Sequence, residues 1–187
     1  MKTSLGPSTG VIEFDSIAIG YRALNIVSQD TSLNIIESAY MNPGRFVLIF
    51  SGSTAAVQRS FDDAKNSLGS KMIGGAVLVN LDNSVMEAYF GLTKPILNSC
   101  FIIFESNSVS SALRIGQMAT MVDGVKLLEI KSGRGSGGKS LVFATGEATN
   151  INRLASAVDS VGSPRPLYQN CEIIENPTKE FLKLFSL

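Results

Sequence analysis

The chain has 187 residues, 44% hydrophobic and 17% charged, with 16 basic side chains against 16 acidic ones and no histidine. That length holds one domain or two small ones with a real core. The balanced charge argues against nucleic acid as a partner, and the missing histidine removes Ser-His and Cys-His dyads, the commonest zinc ligand and the commonest general base.

Residues 1–9, polar and without an apolar stretch, are expected to form a flexible N-terminus rather than a signal peptide, and no apolar run approaches the roughly 18 residues that span a bilayer. A cytoplasmic protein without a membrane segment is therefore expected. A first domain is expected over 10–91. GVIEF reads as a strand, and DSIAIGYRALNIVSQ as a helix with Asp15 or Ser16 at its N-cap and Ile17, Tyr21, Leu24 and Val27 along one face. SLNIIESAY and RFVLIFSG read as two strands joined by MNPG, whose proline and glycine suit a turn. STAAVQRSFDDAKNSLG opens on a Ser/Thr cap, places Val57, Phe61, Ala64 and Leu68 at helical spacing and stops at Gly69, and GAVLVN is a last strand.

Residues 92–97 are expected to link this domain to a second one over 98–187, in which the same order returns. FIIFE, SNSVSSALRIGQMATMV, VKLLEIK, SLVFAT, EATNINRLASAVDSVG and CEIIE follow one another, and NPTKEFLKLFSL closes the chain with Phe181, Leu184 and Phe185 at helical spacing. The two halves are copies. A shift of 92 positions lays Glu13 on Glu105, Ser16 on Ser108, Arg22 on Arg114, Leu33 on Val125 and Glu37 on Glu129. After the loop between the second and third strands the shift is 94, matching Gly44 to Gly138, Arg45 to Lys139 and Gly52 to Gly146. The fold class that follows is α+β, two tandem βαββαβ domains of the ferredoxin-like kind.

KSGRGSGGKS, residues 131–140, satisfies the P-loop pattern through Gly133, Gly138, Lys139 and Ser140. Such a loop holds phosphate only where a helix starts directly after it. LVFATG follows instead and reads as a strand, so residues 133–140 are a strand-to-strand loop, two residues longer than its counterpart in copy one. A nucleotide-binding enzyme using 133–140 is the alternative function; for its metal the sequence offers Asp82, just past a strand. A nucleic-acid binder of this topology would need exposed aromatics on its central strands, and FVLIFSG and SLVFATG supply few. Cys100 and Cys171 read as buried thiols, Glu13 and Glu105 as structural carboxylates at matched strand ends, and Arg22 and Arg114 as packing or interface residues.

With GVIEFDSIAIGYRAL, PGRFVLIFSGSTAAV and AVLVNLDNSV, copy one resembles the shell proteins of bacterial microcompartments, and copy two, with GGKSLVFATGEATNINRLASAV, resembles the second domain of their tandem, unpermuted members. The resemblance spans nearly the whole chain. It implies microcompartment-type domains, a structural role without enzymatic activity, a homotrimer that mimics a hexamer, and tiling with other shell proteins around an encapsulated pathway. It also implies a central pore for small metabolites, where the strand-to-strand loops of both copies converge. Met41, Asn42, Pro43, Gly44, Arg134, Gly135, Ser136, Gly137 and Gly138 would line that pore, with glycine favoured because six backbones crowd one axis. Arg134, the one ionisable side chain in these stretches, would either give the opening a positive potential that draws small anions or point away from it. One tandem subgroup carries a cysteine just before the Pro-Gly of copy one, where three chains hold an iron-sulfur cluster. Asn42 stands there in this chain and neither cysteine lies on a pore loop, so no metal and no cofactor is expected. Gln29 and Met121 replace the family's edge lysine, which leaves the strength of tiling open.

Overall fold

The computed structural model describes residues 5–94, 98–161 and 166–183. The chain forms two compact units. The first comprises residues up to Leu81 together with Ser108–Ser110 and Gly133–Gly138; the second comprises Asp82–Asn107, Ser111–Ser132 and Lys139 onward.

In the first unit β1 (Ser8–Phe14), α1 (Ile17–Val27), β2 (Asn34–Met41), β3 (Arg45–Gly52), α2 (Thr54–Leu68) and β4 (Met72–Val79) give the expected βαββαβ order. The sheet is antiparallel with strand order β2-β3-β1-β4. β1 begins at Ser8, so Ser8 and Thr9, expected in the flexible N-terminus, are buried ladder residues. Ile12, Phe14, Phe46, Leu48 and Phe50 form one face of the two central strands and pack against Val57, Phe61, Ala64 and Leu68 of α2. All four of those α2 residues are buried as their spacing predicts, and each large one stabilises the fold by about 1.5–3 kcal/mol. Ser53 caps the helix through Ala56 N at 3.3 Å. Gly69 ends it in right-handed geometry, passing the chain into a short 3-10 turn, Gly69–Lys71.

Helix α1 is capped by Ser16, whose hydroxyl accepts from Ile19 N; of its predicted face Val27 is buried and Ile17 and Leu24 pack half-buried against the core, while Tyr21 is turned out and Gly20 and Ala23 take the buried places. The reason is Phe46. A Cβ on Gly20 would lie 2.0 Å from Phe46 Cγ, so the missing side chain is the space the ring fills. Tyr21, 56% exposed, lies beside that ring, with centroids 5.3 Å apart.

The second unit repeats the plan with β5 (Cys100–Ser106), α4 (Val109–Thr120), β6 (Lys126–Lys131), β7 (Ser140–Gly146), α5 (Ala148–Val161) and β8 (Asn170–Glu175). Its sheet has the order β6-β7-β5-β8; the first residues of α4 cluster with the first unit. The repetition extends to irregularities. The β2–β3 ladder shifts register between Ile35 and Glu37, and the β6–β7 ladder shifts at the matching pair, Leu127 and Glu129. Asn80 and Asn176, each just past a last strand, adopt left-handed backbone with φ of 51° and 49°, which asparagine tolerates better than most residues.

Each of those asparagines precedes a short capped helix: α3 (Asn83–Tyr89), capped by Asp82, and α6 (Lys179–Leu182), capped by Thr178. α3 was absent from the sequence reading and belongs to the second unit, so residues 82–91 leave the first domain as drawn. Phe181 of α6 meets Phe101 edge-on at 5.2 Å, while Leu184, Phe185 and residues 95–97 of the expected linker lie outside the described residues. Among the described residues no helix is long and apolar enough to cross a membrane.

Candidate functional site in the strand-to-strand loops

The β2–β3 loop is short because Asn42-Pro43-Gly44 turns the chain at once. All three residues are exposed, and Gly44 has φ +76°. A Cβ there would meet nothing within 4 Å, so backbone conformation alone selects glycine. Met41 ends β2 with only 3% exposure, so its side chain is withdrawn from the loop surface where it was expected.

The β6–β7 loop is a tighter coil. Gly133, Gly135, Gly137 and Gly138 all have positive φ, and the Gly133 carbonyl accepts from Ser136 N at 3.5 Å and Gly138 N at 3.3 Å. Gly135 and Gly137 face open space, whereas a Cβ on Gly138 would lie 2.8 Å from the Asn42 carbonyl oxygen. The first unit thus holds both loops side by side. Arg45, at the start of β3, ties them by donating from Nη1 to the Gly138 carbonyl at 3.2 Å.

Arg134 forms an ion pair with Glu37 of β2. The Glu37 side chain is 14% exposed and that of Arg134 54%. The guanidinium, read from the sequence as either a positive charge at the opening or one pointing away from it, carries its own counter-charge. Sequence reasoning missed both Glu37 and Arg45 as loop partners. Arg45 had a readable signal, a cation directly after the Pro-Gly turn; Glu37 had none, because its reach depends on the path of a glycine coil.

The requirements of a P-loop are not met here. Ser140 is the first residue of β7, 1% exposed, and Lys139 Nζ pairs with Glu105 Oε1 at 2.5 Å. The Glu105 carboxyl is held below its ordinary value chiefly by the hydrogen bond from Lys139. Asp82 spends its carboxylate on Ser84, accepting from N at 2.8 Å and Oγ at 2.6 Å, contacts that lower its pKa and cap α3. Cys100 is buried and Cys171 half-buried; burial raises both thiols, Cys171 to about 11. Gln29 and Met121 are both exposed, Met121 by 70%.

Glu13 is the most unusual carboxylate in the protein. It is fully buried, and its two oxygens accept separately from Val109 N and Ser110 N, each at 2.9 Å, within the first unit. Burial raises its pKa, while those two donors and nearby Arg45 act in the opposite sense. A Cβ on Gly74, its ladder partner, would lie 2.8 Å from Glu13 Oε1 and 3.2 Å from Ser108 Cβ.

Residues 8–81, the whole of the first βαββαβ order, match the BMC domain family. Beyond the matched residues the same order of elements recurs in β5 to β8. The chain is 24% identical over 173 residues to the bacterial microcompartment shell protein PduT of Citrobacter freundii, covering 92% of this chain and 94% of that one. A solved structure of a microcompartments protein from Desulfitobacterium hafniense DCB has a TM-score of 0.81 at 27% identity, covering 94% of this chain and 98% of that one. The chain is thus similar to these two microcompartment proteins over more than nine-tenths of its length.

Proposed function

We propose that this chain is a structural, non-enzymatic shell component of a bacterial microcompartment. It assembles as a homotrimer whose six BMC-like units mimic a hexamer, and it tiles with other shell proteins of the same compartment. Asn42, Pro43 and Gly44 with Arg134, Gly135, Ser136, Gly137 and Gly138 surround a central pore for small metabolites; Met41 contributes backbone only.

The observation that carries this reading is the pairing of the two loops, through Arg45 and the Gly138 carbonyl, in a chain homologous to shell proteins. Two loops from non-equivalent copies held together expose mostly backbone and small side chains, the lining a narrow polar passage needs. Because Arg134 is neutralised by Glu37, the passage is polar rather than cationic, and no preference for anions is proposed. The tagged chain, co-produced with the other shell proteins of its compartment, should sediment with closed shells visible by electron microscopy. A chain that stays in the supernatant while shells form without it would overturn the reading.

A further inference from the structure

The repeat makes one junction that the chain completes and a corresponding half-junction that it leaves open. In the completed one, Glu13 covers the first-turn N–H groups of Val109 and Ser110 in α4, and Arg45, beside it, donates to the Gly138 carbonyl. The repeat places Glu105 at the position of Glu13, Lys139 at that of Arg45, Ile17 and Ala18 at those of Val109 and Ser110, and Gly44 at that of Gly138.

All members of the second set are present and accessible. The Glu105 side chain is 26% exposed and that of Lys139 48%, and they pair with each other. Ala18 and Gly44 are exposed and Ile17 is half-buried. Ser16 accepts from Ile19 N, but among the described residues the N–H groups of Ile17 and Ala18 meet no acceptor. A first helical turn leaves those donors open unless something outside the helix takes them, and a carboxylate suits them because the helix N-terminus is the positive end of its dipole.

We propose that Glu105 accepts the Ile17 and Ala18 N–H groups of a second copy of this chain, while Lys139 donates to that copy's Gly44 carbonyl. The contact is head-to-tail: each chain offers the Glu105 and Lys139 half to one neighbour and the α1 half to another, and in the homotrimer of the proposed function three such contacts close into a ring. The two sites differ at Gly74, whose ladder counterpart is Asn170; its amide donates to Glu105 at 3.2 Å and must turn aside for the helix to approach. The proposal rests on the homotrimer reading and adds the residues that join one copy to the next.

The test compares the wild type, Glu105→Ala and, as a control, Glu129→Ala by sedimentation over a range of concentrations. Glu105→Ala is expected to weaken assembly at least about tenfold, the scale of losing charge-assisted hydrogen bonds, and Glu129→Ala to leave it unchanged. Independently, a chain with Ala18→Cys and Glu105→Cys, on a Cys171→Ser background, should form chain-to-chain disulfides under mild oxidation, and neither single cysteine variant should. A wild type that assembles, with Glu105→Ala equally assembled and no cross-link, overturns this junction and leaves the shell reading intact. A wild type that remains monomeric overturns both.

Discussion

Glu13 and Glu105 occupy one position in two copies of a single fold, opposite Val47 and Gly74 in the first sheet and opposite Leu141 and Asn170 in the second. Glu13 is wholly buried, with each oxygen on a helical N–H, while Glu105 is partly in solvent and holds a lysine and an asparagine. The surroundings changed, not the residue. A carboxylate is removed from water only where fixed donors replace its hydration; the α4 N-terminus does this for Glu13 inside the chain. The same acid without a helix falls back on a flexible cation.

Removing the acid should therefore cost very different amounts at the two sites. Glu13→Ala leaves two buried N–H groups without acceptors and is expected to lower folding stability by about 3 kcal/mol, measured by urea unfolding. Glu105→Ala should leave the unfolding midpoint of the dissociated chain unchanged. Equal losses would break the comparison.

The titration of Glu13 sharpens it. Burial holds this carboxyl above its ordinary value of 4.5, so the folded chain binds the proton more tightly than the unfolded one. The stability this contributes is present in full below about pH 4.5 and is lost as pH rises through the higher folded value. Glu13→Gln, which cannot titrate, should flatten that fall in a stability-against-pH profile, whereas Glu105→Gln should not.

Packing differs between the copies in the same instructive way. Gly20 accepts the Phe46 ring, while the repeat places Ala112 and Ser140 at these positions, trading a large residue over a gap for two small ones. Gly20→Ala is expected to destabilise by about 2 kcal/mol, because overpacking outweighs the gain of about 1 kcal/mol in helix propensity. A neutral outcome would mean that Phe46 moves freely. The smallest expected contrast lies in the loop. Gly138→Ala meets the Asn42 carbonyl and should perturb the loop pairing, while Gly137→Ala, facing open space, carries only the strain of its positive φ, about 1 kcal/mol.

The element order, the repeat and the α2 core face were legible because apolar spacing and caps encode them directly. The absence of a helix after Ser140 was legible too, since LVFATG has strand character. The α1 face was legible at Ile17, Leu24 and Val27 but misread at Tyr21 and Gly20, because Gly20 contributes by lacking a side chain and spacing rules count side chains. α3 was missed, although Asp82-Asn-Ser followed by Val85, Met86, Ala88 and Tyr89 is a capped helical pattern; it was hidden by being short and by following the strand read as the last of the first domain. The Arg134–Glu37 pair had no sequence signal, because positive-φ glycines steer the coil and their direction is not written in residue type.

The central claim is that one chain completes only part of its own interface and that further copies complete the rest. Native mass spectrometry of the purified wild type at micromolar concentration tests it most directly: a species of three chains is expected, and a chain that remains monomeric across that range would contradict it.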